Sequence, residues 1–293
     1  MARPSATSVQ YTPREFFARS FNLRSIIVIG CMSIKIPCSV EILTRNSEKT
    51  LERCLDSVKD FDDIIILDGN STDRTQEIAA RYGARIFRQY DTDDPLVRIS
   101  DFSEVRNRGL RLAKHDWFMF IDSDEYLSSE AVEEIRAIVL SPNPPAYAFW
   151  QPRKYVLDGK VIECATTYPN QQIRFFHRRY AEGFIKPVHE RIKLTPDIGA
   201  GRLKGVEYVP LEPLEGLRDR WERYMVVEEE MTFGASRWRI FRFIFRHGAI
   251  FTLVVFRYAR NLFFCRGPRM PVRYEWNRHK FTLLFIARLL KKL

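Results

Sequence analysis

The segment Trp117–Asp124 constrains the fold of this chain more than any other. It is an uninterrupted apolar run, WFMFI, closed by Asp122-Ser123-Asp124. An apolar run without polar alternation belongs to a strand covered on both faces, and the acidic end marks where that strand leaves the core. The same grammar recurs upstream. From Ser39, SVEIL is short and β-rich, and Asn46 then caps a stretch in which Leu51, Cys54, Leu55 and Val58 recur at helical spacing. IIIL (Ile64 to Leu67) ends in DGNSTDRT, a cluster of turn formers ahead of a second helical stretch through Ile78 and Ala80. ARIF closes that unit near Phe87, and Ser103 starts a helix carrying Val105, Leu110, Leu112 and Ala113. Strand and helix units alternating at these lengths predict an α/β domain with a doubly wound, mostly parallel sheet.

After residue 140 the texture changes. SPNPP is a loop, and YAFW, KYVL, KVIE and QQIRFF read as separate short strands of antiparallel or edge character, followed by GFIKPVHERIKL. Leu217 to Phe233 is helical in pattern, and no internal repeat is visible. A length of 293 residues suits one main domain with an appendage. We divide the chain into an N-terminal extension (1–37), a catalytic domain (38–215) and a basic amphipathic helical region (216–293).

Charge supports that division. The net charge is +10, yet from residue 231 onward there are 14 Lys and Arg against one acid, Glu275, so the body before it carries −3. On a helix, residues 237–247 place Arg239, Arg242 and Arg246 in one stripe, with Trp238, Ile240, Phe241, Phe243, Ile244 and Phe245 covering the rest. Lys280 to Leu293 repeats the theme. This pattern predicts a helix lying on an anionic bilayer surface. The charge-free stretch Gly248–Phe256 is far short of the ~20 residues needed to span. Nucleic-acid binding is the rival for so basic a tail, but such surfaces seldom carry this much Phe, Ile and Leu, so no nucleic-acid partner is expected. Packing of the tail on the body is the third reading.

Five scattered cysteines (Cys31, Cys38, Cys54, Cys164, Cys265) without metal spacing are expected to be reduced thiols of a cytoplasmic protein. Arg14, Arg19 and Arg24 precede SIIVIGCM, whose Val28-Ile29-Gly30-Cys31 looks like a lipoprotein cleavage box. Its apolar run, Ile26 to Ile29, is shorter than the ~7 to 15 residues of a secretory core segment. Residues 1–31 are read instead as an upstream extension or a mis-assigned start, with Met32 as the alternative.

In an open α/β sheet, ligands bind beyond the carboxyl ends of the strands. Asp68 follows IIIL directly, and Asp122 and Asp124 follow WFMFI. Alternation points Asp122 and Asp124 to the same side, so two oxygen ligands could be offered to one hard divalent cation. Acids after strands also cap turns, and a lone Asp would be read that way. GxGxxG and GxxxxGK are both absent, which argues against a dinucleotide oxidoreductase or a P-loop enzyme.

SVEILTRNSEKTLERCLDSV, IIILDGNSTDRT and FSEVRNRGLRLAKHDWFMFIDSDE resemble successive signatures of the family 2 glycosyltransferases, which have the GT-A fold. The resemblance spans residues 39–125. It implies that Thr44 and Asn46 line a nucleotide pocket, Asp68 contacts the base, and Arg106 with Asn107 sits near a diphosphate. Asp122 would approach the ribose, and Asp124 would hold Mg²⁺ or Mn²⁺ against a nucleoside-diphosphate sugar. Such a cation offsets the charge of the leaving diphosphate.

An inverting transfer also needs a base for the acceptor hydroxyl. IKPVHERI resembles a branch of the family that includes lipopolysaccharide core glycosyltransferases, in which an FRR-like strand leads to a His-Glu pair. By that resemblance Glu190 is the base, His189 helps hold the metal or diphosphate, and Arg174 supports the site. Glu125 is the second candidate base. The alternative for Glu190 is a structural pair with a neighbouring Arg, and for His189 a satisfied core histidine. The expectation is a metal-dependent inverting transferase acting on a lipid-linked or cell-envelope glycan at the cytoplasmic face of the inner membrane. A polyprenyl-phosphate sugar transferase and a nucleotidyltransferase are the alternatives.

Overall fold

The computed structural model describes residues 34–196, 198–214, 216 and 236–290. The expected helix at Leu217–Phe233 and the reading of residues 1–31 lie outside the described residues. The compact body begins at Lys35. Its first strand, β1 (Ile36–Thr44), starts three residues earlier than the sequence pattern suggests. It is followed by α1 (Leu51–Val58), β2 (Phe61–Asp68), α2 (Thr75–Arg81), β3 (Arg85–Arg88), α3 (Phe102–Leu112) and β4 (Trp117–Asp122).

These strands lie in the order β3-β2-β1-β4, all parallel. Side chains alternate across them, and both faces are covered. Val40, Ile42, Ile64, Ile66, Met119 and Ile121 pack with Leu51, Cys54, Leu55 and Val58 of α1. Ile65, Leu67, Phe118 and Phe120 pack with Val105 of α3 on the other face. That double burial is why these strands read as continuous apolar runs.

Beyond β4 the sheet is mixed, which corrects the expectation of a mostly parallel one. β5 (Tyr126–Leu127) and α4 (Ser129–Val139) precede β6 (Ala148–Leu157), β7 (Lys160–Val161) and β8 (Gln171–His177). β8 pairs antiparallel to both β4 and β6. YAFW and KYVL are therefore not two strands but one, and KVIE contributes only Lys160–Val161. The pattern missed this because Gln151-Pro152-Arg153-Lys154 interrupts the apolar alternation in mid-strand. β9 (Ala181–Ile185) and β10 (Arg191–Leu194) form a separate hairpin. β11 (Gly201–Arg202) and β12 (Glu207–Pro210) each add parallel to β6.

Two helices end the described chain, α5 (Arg237–Phe264) and α6 (Val272–Leu290). Ile240 of α5 packs against Phe285 and Leu289 of α6. The pair is fastened to the body in three ways. Tyr274 and Met270 join Leu157, Ile162 and Ala165 in a small core. The Thr166 amide donates to Glu275 Oε1 at 2.8 Å and its hydroxyl to Oε2. Cys164 and Cys265 form a disulfide, which corrects the expectation of reduced thiols throughout; Cys38 and Cys54 are free and buried. No helix among the described residues is long and apolar enough to cross a membrane.

Candidate active site

The parallel strands deliver their carboxyl ends to one edge. Thr44 pairs in register with Asp68, and Leu43 with Asp122. Two cavities open along this edge.

The first, about 490 Å³, is lined by Asp68, Asn70, Ser71, Thr72, Gln76 and neighbours from β3 and the loop after it. Asp68 organises its floor. The carboxylate accepts from the Thr44 hydroxyl at 2.8 Å, the Ser71 hydroxyl at 2.6 Å and amide at 2.8 Å, and Gln76 Nε2 at 2.8 Å. Asn46 and Asn70 flank it with left-handed backbones, φ 50° and 55°. Their side chains offset that cost locally: Asn46 Oδ1 accepts from the Thr72 amide at 2.8 Å, and Asn70 Nδ2 donates to the Thr92 carbonyl at 2.8 Å.

The second cavity, about 540 Å³, is lined by Asp122, Asp124, Glu125, Arg174, His189 and Glu190 at one end and by residues from β12, α6 and the linker before α6 at the other. Under its floor lies a charge network. Arg106 donates to Asp122 through Nη2, and its other nitrogens lie 3.6 Å from Glu41 Oε1 and 3.5 Å from Glu190 Oε1. Arg174 Nη2 reaches the other oxygen of Asp122 at 3.0 Å and Glu125 at 3.2 Å. Arg153 donates to Glu125 and, at 2.9 Å, to Glu207. Two of these cations lie over the Phe120 ring, the Arg106 guanidinium carbon 4.7 Å and that of Arg174 4.6 Å from its centroid.

The network fixes protonation states. Burial opposes the charge on Asp122, but Arg174, Arg106 and Arg153 together hold its carboxyl far below the usual carboxylate range, although 40% of the side chain reaches the open cleft. Burial pushes Glu41 up to about 8 against the opposing pull of Arg106. Gly109 lets α3 sit over Glu41: a Cβ there would come within 2.5 Å of the Glu41 side chain.

Residues 39–160 match the model of the family described as Glycosyl transferase family 2. Over those residues the chain resembles the family 2 glycosyltransferases. A TPR repeat-containing protein of Synechococcus elongatus is 35% identical over 53% of this chain and 35% of its own length. A protein of Rickettsia bellii, described as an uncharacterized glycosyltransferase, is 30% identical over 49% of this chain and 47% of its own. The chain thus spans between about a third and a half of these relatives. Among solved structures, S. aureus TarS 1–349 in complex with UDP-GlcNAc aligns over 86% of this chain and 82% of that one, at 15% identity and a TM-score of 0.42.

The sequence-predicted residues fall into three groups. Asp122, Asp124, His189 and Glu190 share the larger cleft, although 64 residues separate the second from the third in the sequence. Thr44, Asn46 and Asp68 gather at the smaller one. Arg106 and Asn107 line neither. Arg106 is buried beneath the carboxylates, and the Asn107 amide is spent on β9, donating to the Phe184 carbonyl at 2.9 Å and accepting from its amide at 2.7 Å. Glu125, the second candidate base, is buried and clamped by two arginines, whereas Glu190 faces the cleft.

Glu41, Arg153 and Glu207 were missed. A signal existed for Glu41, an acid inside a buried apolar strand, which folding tolerates only with a partner. None existed for Arg153 and Glu207, which meet through the parallel β6–β12 pairing.

Among the described residues no three His, Cys, Asp or Glu converge as a metal cage. Asp124 and His189 both line the cleft wall, and Mg²⁺ or Mn²⁺ needs only one or two protein ligands when substrate phosphate and water fill the rest of its shell. Asp122 is already engaged through both oxygens.

Proposed function

We propose that this chain moves a glycosyl unit, with inversion, from a nucleoside-diphosphate sugar to a lipid-linked or cell-envelope glycan. The observation that carries the reading is the meeting, in one cleft, of the strand-end acids Asp122 and Asp124 with His189 and Glu190, beside a second cavity built over Asp68. Glu190 takes the proton of the acceptor hydroxyl, whose oxygen bonds to the anomeric carbon. The bond from that carbon to the diphosphate oxygen breaks, and its electron pair leaves with the nucleoside diphosphate. Arg106 and Arg174 keep Asp122 ionised and fixed at the cleft floor. A divalent cation held by Asp124 and His189 would offset the leaving charge. Screening nucleotide sugars for release of nucleoside diphosphate tests the reading; no release from any donor sinks it.

We place the working enzyme on an anionic membrane surface. At 100° per residue, the exposed Trp238, Phe241, Phe245, Phe256 and Phe263 of α5 fall within an arc of about 60°, with exposed Arg242, Arg246 and Arg260 beside it. An aromatic stripe flanked by arginines is the arrangement that buries apolar side chains at the headgroup boundary while pairing cations with lipid phosphate.

A further inference from the structure

We propose that the far end of the larger cleft is a sugar subsite built jointly by β6, the Thr167 loop and α6, and that it takes an uncharged sugar unit rather than a phosphorylated or carboxylated one. The proposal rests on the glycosyl-transfer reading and names the acceptor class.

The argument starts from the wall. Away from Asp124 and Glu190, the cleft is lined by Tyr155, Thr167, Glu212, Met270, Tyr274 and Asn277. Tyr155 comes from β6, and Tyr274 and Asn277 lie three residues apart on α6, hence on one helix face. The carboxamide of Asn277 makes no hydrogen bond among the described residues, although the side chain is half-buried at the cleft. The Thr167 hydroxyl points to the Tyr155 hydroxyl at 3.4 Å, a contact long enough to be exchanged for a ligand's hydroxyl. Tyr274 is fixed by donating to the Glu212 carbonyl at 3.3 Å and by its place in the core beneath. Amide and hydroxyl groups beside aromatic and thioether surface suit a sugar ring, which offers hydroxyls at its rim and C–H groups on its face.

Charge sets the class. The acids at this end of the cleft are Glu212 and Glu275, whereas the cleft's arginines are Arg153 and Arg174. Both arginines are spent, Arg153 on Glu125 and Glu207, and Arg174 on Asp122 and Glu125. Glu275, at this end, is held below its ordinary range: burial would raise it, but hydrogen bonds with His279 and Thr166 overcome that. A phosphate or carboxylate brought to this wall meets carboxylates and no uncommitted guanidinium, so like charge disfavours it. An uncharged sugar meets no such penalty.

The test uses full-length protein and three small probes: methyl β-glucoside, methyl β-glucuronide and methyl β-glucoside 6-phosphate. Binding is read by saturation-transfer NMR titration. We expect the neutral glycoside to bind at least about tenfold more tightly than either anion at low salt, a gap that narrows as salt rises. Asn277→Ala should weaken neutral-glycoside binding about fivefold or more with an unchanged melting temperature, since a lost hydrogen bond in a site removes about this much. Tighter binding of an anionic probe, or no effect of Asn277→Ala, overturns the proposal. Release of nucleoside diphosphate by the unaltered chain is measured separately. If glycoside binds as expected but no nucleotide sugar is ever cleaved, the transfer reading falls while the sugar subsite stands.

Discussion

Arg106 places its Nε 3.5 Å from Oε1 of Glu190, so the residue read as the base rests against the buried cation that also donates to Asp122. Both readings of Glu190, base and ionic partner, are therefore present in one geometry, and kinetics must separate them. Glu190→Gln keeps the shape and much of the hydrogen bonding but removes the basic group. We expect turnover to fall roughly 10²- to 10⁴-fold with donor affinity nearly unchanged. A fall in melting temperature with near-normal turnover would mark Glu190 as a partner for Arg106 only.

Chelation should abolish transfer, and Mg²⁺ or Mn²⁺ should restore it. Asp124→Ala should lose most turnover while keeping its circular dichroism and melting temperature, because Asp124 lines the cleft rather than the core. Undiminished activity in excess EDTA would remove the cation from the mechanism.

Glu41 gives a pH signature of stability. Its carboxyl titrates near 4.5 when unfolded and is pushed up to about 8 by burial in the fold. Between those values the native state binds more protons than the unfolded one, so Glu41 costs stability increasingly as pH rises from about 4.5 to 8. Glu41→Gln should therefore gain stability relative to the parent across that range and level off above it. Denaturant midpoints at pH 5, 6.5 and 8 measure the trend; a constant difference contradicts it.

The Cys164–Cys265 disulfide closes a loop of 101 residues and holds the start of the α6 linker to the loop before Thr166. Reduction, or Cys265→Ser, should lower stability by roughly 2–4 kcal/mol. Equal denaturant midpoints with and without reductant, with thiol titration confirming the break, would show that packing at Tyr274 suffices.

Full-length protein should float with anionic liposomes, and salt should weaken that binding only in part because aromatic insertion is not screened. Replacing Trp238, Phe241 and Phe245 by Ser should release it more completely than salt. A chain that stays in solution with liposomes at low salt, or that prefers DNA, contradicts the membrane reading.

The parallel half of the fold was legible because its strands are buried on both faces and end in acids, so Asp68 and Asp122 could be placed at one edge from residue pattern, and Thr44 beside them from the family resemblance. What lay beyond Pro145 was less so. A strand such as β6, which carries Gln151, Pro152 and Arg153 mid-length, is defined by neighbours that arrive far later in the sequence. The charge network was half-visible for the same reason: Arg106, Asp122, Arg174 and Glu190 sit in recognisable segments, whereas Arg153 and Glu207 become partners only through strand pairing. The cysteine expectation failed because spacing says nothing about a contact made across 101 residues.

Glu275 is the lone acid in the last 63 residues, and it is buried against Thr166 while Tyr274 beside it roofs Leu157, Ile162 and Ala165. The C-terminal helices are consequently not a detachable handle. A truncation that ended the chain before α5 would unroof an apolar pocket and strip one bank from the cleft, so the minimal unit for expression, crystallisation or engineering extends through α6.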